Sequence, residues 1–196
     1  GLFLVKGTMK WALLAATILS VLLSWGHNFM GFTNFFLDYI PMYAKFRTVA
    51  SILVIAEFTI PLLAALTLKR LVDEPELLGQ KMKYAYISLG LTAGVALLVA
   101  VFPDMMGPFV SDQERQMINS IQGMDSNTAG TILANVSAMR AAMVSSDAWR
   151  SVIVILIGFA LLFAYKMKKL RADYMVAGLL VLCLVDMWQV DKRYLN

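Results

Sequence analysis

Residues 38–68 read DYIPMYAKFRTVASILVIAEFTIPLLAALTL, and this stretch decides the class of the fold. It passes from an aromatic, proline-broken segment through two cations, Lys45 and Arg47, into an apolar run. That run holds one carboxylate, Glu57, and one proline, Pro61. Residues 49–68 suffice to cross a hydrocarbon core about 30 Å thick as a helix rising 1.5 Å per residue. Glu57 falls near the middle of such a span, where inserting an ionisable group costs roughly 2.5–3.5 kcal/mol. Pro61 lacks the N–H that would otherwise reach the Glu57 carbonyl. A carboxyl and a freed carbonyl thus share one depth, and lipid can satisfy neither. The helix is therefore expected to turn this point toward other helices or a wet cavity, which makes Glu57 a candidate buried polar site.

Composition agrees with the span. The chain has 196 residues, 60% hydrophobic and only 15% charged, with a mean hydropathy of +0.71. Soluble domains are about 45–50% apolar and about 25% charged, so the expected class is membrane protein. A net charge of +4 does not imply nucleic acid, because the Lys and Arg are spread over short loops instead of one soluble face. One cysteine, Cys183, and one histidine, His27, leave no disulfide framework and no Cys or His metal cluster. No cofactor is expected.

Taken in order, the chain offers five apolar spans, at 11–25, 49–68, 84–102, 151–165 and 174–190. The fold expected is all-α, a polytopic transmembrane helical bundle with amphipathic helices in an outward loop at 103–150. Residues 26–41 read as an amphipathic or re-entrant segment. Gly90 and Gly94 have the spacing of a close helix contact. Ser111 and Glu114 form a capping-box pattern opening a short helix. Ile132, Val136, Met139 and Met143 follow as one face of a second helix.

Five crossings put the N-terminus, residues 69–83 and residues 166–173 on one side with ten Lys and Arg, against seven on the other. The denser side is expected to be cytoplasmic. Residues 11–24 follow Lys6 and Lys10 in the manner of a signal peptide, yet no small-residue cleavage site comes after them. The chain is read as an internal module of a larger polytopic protein, whose remainder is an expected partner.

Three segments carry a resemblance: PMYAKFR at 41–47, IAEFTIPLLA at 55–64 and VDMWQVDKRYLN at 185–196. They resemble the bacterial YfhO family in its Bacteroidetes form, large membrane proteins related to GT-C glycosyltransferases that use polyprenyl-phosphate sugars. The resemblance implies multi-pass residence in the cytoplasmic membrane and transfer of sugar from a lipid-linked donor to a cell-envelope acceptor outside it. In GT-C enzymes the catalytic acid lies in the first outward loop, a part this segment is not expected to include, so no catalytic residue is assigned.

Beside the resemblance, the residues leave alternatives open. Lys45 and Arg47, two apart in an extended segment, face one way. They would either clamp a lipid-linked phosphate or snorkel to anchor the span. Glu57 would contact a donor or acceptor, relay a proton, or bond a neighbouring helix as a neutral acid. Asp186 reads as an interfacial partner of Lys192 or Arg193. Asp147 and Arg150 read as an i, i+3 pair. Asp112, Glu114 and Arg115 would bind a sugar or an acceptor, or form a solvated helix face, and Met139 with Met143 read as packing. No catalytic triad, phosphate loop or dinucleotide fingerprint is present. Two other functions compete: a transporter or flippase segment with Glu57 and Pro61 lining a path, and a non-catalytic scaffold for envelope assembly.

Overall fold

The computed structural model describes residues 1–25, 30–39, 49–121 and 125–194. Among them every regular element is helical. The helices are α1 (Met9–Ser24), α2 (Met30–Tyr39), α3 (Val54–Asp73), α4 (Glu76–Gln80), α5 (Met82–Val101), α6 (Asp112–Asn119), α7 (Ser126–Lys166) and α8 (Ala172–Tyr194). A 3₁₀ stretch, Val49–Leu53, leads into α3.

Among the described residues, four helical segments are long and apolar enough to cross a bilayer: Ser51–Asp73, Met82–Val101, Ser126–Lys166 and Ala172–Lys192. Between 6% and 11% of each apolar window is buried by the chain itself. Helices apolar all round, with so little of that surface covered, belong in lipid or inside a larger bundle. These helices point to a membrane protein. The fifth expected span, 11–25, is α1, a shorter apolar helix of 16 residues. Residues 26–41 contain α2, where Phe35 packs on Phe36 and Tyr39.

The chain divides into two compact units, Gly1–Lys81 and Met82–Asn196. In the first, α1 and α3 pack together through small and hydroxyl residues. Ala56 and Thr59, three apart on α3, are buried, as are Ser20 and Leu23 on α1. Lys10, at the start of α1, and Lys81, just past α4, both donate to the N-terminal turn, at Leu2 O (3.2 Å) and Phe3 O (2.9 Å). The start of α1 and the chain beyond α3 therefore meet at one end of this unit.

In the second unit α5, α7 and α8 pack antiparallel in sequence order. Two contacts fix the register of α5 on α7. The Tyr86 and Phe159 rings lie 5.6 Å apart at one end, and Ser145 Oγ donates to the Ala100 carbonyl at 2.6 Å at the other. Each interval is fourteen residues, about 21 Å of helix, so the two rods run level. Helix α7 is far longer than its partner, 41 residues or about 61 Å. Residues 126–144 thus extend about 28 Å past the Ser145 contact.

The expected break between an amphipathic helix and a span at 151–165 does not exist: one unbroken helix serves as both. The reason is that no glycine or proline in residues 131–157 interrupts it. The expected stripe is also turned. Ile132 and Val136 are half-buried, but Met139 and Met143 are 59% and 56% exposed, while Ala129, Ala148 and Val152 are buried. Gly90 and Gly94 make no close approach, because a Cβ at either meets open space. The close approach lies between α7 and α8 instead. There a Cβ on Gly178 would stand 3.2 Å from Leu161 Cδ1.

Candidate functional site

Lys45 and Arg47, the expected phosphate clamp, lie outside the described residues, as does His27. Glu57 is described, and its setting differs from the expected one. The apolar helical segment is Ser51–Asp73, shifted toward the C-terminus from 49–68, so Glu57 falls in the first turn of α3 and only about 9 Å from the segment's start. Ala56 and Thr59 occupy the face that meets α1, and a helix turns 100° per residue. Glu57 consequently points away from α1 and is exposed. Its neighbours in this unit do not enclose it.

The buried polar group on α3 is Thr59. Its Oγ1 lies 2.7 Å from Thr17 Oγ1 across the α1–α3 contact. Thr17 also donates to Leu13 O at 2.7 Å. A hydroxyl has one proton, so Thr59 is the donor across the contact and Thr17 the acceptor. Ser20, buried one turn away, donates to Thr17 O at 3.0 Å. The three hydroxyls form a seam with its backbone partners supplied locally. Sequence reading fixed on Glu57 and passed over it. The available signal was the hydroxyls at 17 and 20, one turn apart in an otherwise apolar helix.

In the second unit an ionic cluster joins α7 and α8. Arg150 Nε stands 3.1 Å from Asp186 Oδ1, and its Nη1 stands 3.8 Å from Asp147 Oδ1. The expected Asp147–Arg150 pair is present. Asp186, however, pairs with Arg150 and not with Lys192, whose Nζ sits 6.0 Å over the Trp188 ring. Helix geometry explains this, since residues six apart differ by 240° around the axis and cannot share a face. Arg150 lies five residues, about 7 Å, along α7 from the Ser145 contact, within the stretch paired with α5. Two carboxylates around one guanidinium leave a net charge of −1 when both are ionised. That guanidinium is already committed to carboxylates, so it is a poor clamp for an outside phosphate.

A second ionic link lies beyond the paired rods. Ser111 caps α6 in a full capping box with Glu114, as expected. Glu114 does more than cap. Arg140 Nη2 donates to its Oε1 at 2.6 Å and Nη1 to its Oε2 at 2.9 Å, a bidentate pair. The same Nη1 donates to Phe109 O at 2.6 Å. The hydrogen bond from Arg140, followed by that from the Ser111 backbone, draws the Glu114 carboxyl down from its ordinary 4.5 to about 2. Glu114 reads from sequence as part of a solvated face, yet it ties α6 and the Phe109 loop to the projecting half of α7. Spacing could not reveal this, because the partners stand 26 residues apart.

Among the described residues no group of three or more His, Cys, Asp or Glu could hold a metal. Cys183 is an exposed free thiol on α8. No protein family, curated protein or solved structure matches the chain.

Proposed function

We propose that the chain is an integral-membrane module of a glycosyltransferase-like protein of the YfhO kind. It would help to move a sugar from a polyprenyl-phosphate donor to a cell-envelope acceptor at the outer face of the bacterial cytoplasmic membrane. The observation that carries this reading is the wording of the three segments at 41–47, 55–64 and 185–196. The architecture supports it in outline. In the second unit, Lys83 and the 166–171 turn share one end, while α6, the Phe109 loop and the projecting half of α7 share the other. With the cation-rich end cytoplasmic, the opposite end forms a folded polar layer on the outer side. Five crossings, as expected from the sequence, would put Lys45 and Arg47 on the outer side, where a lipid-linked phosphate would arrive. Membrane lipid, the donor and the remainder of the protein are the partners, and no cofactor is assigned.

The test uses the full-length protein. The double variant Lys45→Gln, Arg47→Gln is expected to abolish consumption of lipid-linked sugar at unchanged expression. Activity retained in the double variant refutes the clamp.

A transport reading draws on one observation, the Asp147–Arg150–Asp186 cluster set about 7 Å along the paired rods. Under it, reconstituted vesicles would show substrate flux that Asp186→Asn removes, with no sugar transferred.

A further inference from the structure

The turn between α7 and α8 holds four cations within six residues, Lys166, Lys168, Lys169 and Arg171, all exposed. One carboxylate answers them: Asp173 lies 3.8 Å from Arg171. The turn therefore keeps a net charge of +3. Its backbone is closed upon itself. The Lys169 N–H donates to Ala164 O at 3.1 Å and the Lys168 N–H to Tyr165 O at 2.9 Å, the two bonds of a Schellman motif. That motif needs a left-handed residue after the helix cap, a place normally filled by glycine. Here Lys168 occupies it, at φ 56°. A cation stands where glycine would fold more easily, and with the backbone donors used internally the side chains are what the turn offers.

The position of the turn names the chemistry it meets. Two apolar helices end in it, and the register of α5 on α7 brings Lys83 to the same end of the unit. Lys166 Nζ rests 5.7 Å over the Phe163 ring, and Tyr174 at the start of α8 is 64% exposed. Cations and an aromatic at the end of spanning helices stand at headgroup depth. We propose that the α7–α8 turn is a binding site for anionic phospholipid headgroups, its cations gripping the phosphodiester of a lipid such as phosphatidylglycerol. This assignment is independent of the sugar-transfer reading.

The experiment is native mass spectrometry of the 196-residue chain in micelles. They contain phosphatidylglycerol and phosphatidylcholine in equal amounts, and the count of each lipid retained is the readout. Wild type is expected to retain phosphatidylglycerol over phosphatidylcholine by about tenfold or more, and raised salt should erase the preference. Lys168→Gly removes one charge while relieving the left-handed strain. It is expected to cut the preference by about fivefold and to raise the thermal midpoint in phosphatidylcholine alone. The quadruple variant Lys166→Gln, Lys168→Gln, Lys169→Gln, Arg171→Gln should lose the preference altogether. Equal retention of both lipids by wild type overturns the proposal, as does an unchanged preference in Lys168→Gly. Displacement of the lipid by inorganic phosphate, where chloride at equal ionic strength leaves it bound, would mark a site for free phosphate and overturn the lipid assignment.

Discussion

The α1–α3 contact and the α7–α8 contact join apolar helices by opposite means. The first is sealed by neutral hydroxyls: Thr17 and Ser20 donate to carbonyls of their own helix, and Thr59 donates across to Thr17 with the Ala56 carbonyl 3.5 Å away as its alternative acceptor. The second is joined by full charges, Arg150 between Asp147 and Asp186. A hydroxyl that loses its partner across the contact still has a backbone acceptor one turn away. A guanidinium between carboxylates has no such fallback in an apolar setting. Neutral seams are thus forgiving and charged ones are not, and substitutions at the two contacts should separate accordingly.

The largest effect is expected from Arg150→Ala. It removes the guanidinium that stands 3.1 Å from Asp186 and 3.8 Å from Asp147. Exposed pairs are worth at most about 1 kcal/mol, and breaking buried pairs costs about 3–5 kcal/mol. Because the cluster is partly exposed, roughly 2–3 kcal/mol is expected between those limits. The measurement is denaturant unfolding in micelles. Asp186→Ala should cost less, since Arg150 keeps Asp147. Equal losses for the two would break the account of a shared guanidinium.

A smaller effect is expected at the hydroxyl seam. Thr59→Val retains shape and removes a hydroxyl that donates across the contact, for about 0.6 kcal/mol, the average of interhelical hydrogen bonds in membranes. A loss matching that of Arg150→Ala in the same unfolding assay would show that neutral and charged contacts do not differ here.

The smallest effect on the whole protein is expected at the exposed Glu114–Arg140 link, where only local order depends on it. The folded carboxyl titrates near 2, below its ordinary 4.5. Its contribution is therefore complete above pH 4.5 and lost as the pH falls toward 2. Amide exchange of α6, corrected for intrinsic rates, should accelerate over that window, while α5 stays protected. Arg140→Gln should weaken the pH dependence, leaving the part that the Ser111 cap supplies.

Much of the architecture was legible in the chain. The apolar runs near 49–68, 84–102 and 174–190 appear as spanning-length helices because twenty apolar residues leave no other way to satisfy a backbone in oil. Ser111 and Glu114 announced a helix start, since capping is local chemistry. Other features resisted. Hydropathy changes midway along α7 and so suggests two elements, although nothing there stops a helix. Gly90 and Gly94 have the spacing of a helix contact, yet spacing does not say which face a neighbour covers. Glu57 stood out as the anomalous charge, but the buried polar atom belongs to Thr59, two residues away and on the other side of the helix.

The sequence by itself determined the class of the molecule, its helices and the unequal charge of its ends, because burial in oil and backbone satisfaction depend on composition and run length. Only the tertiary structure decided the partners: Thr17 with Thr59, Arg140 with Glu114, Arg150 with Asp186. Those pairings join residues 26 to 42 positions apart. At such separations helix register, which no local pattern encodes, sets which side chains meet.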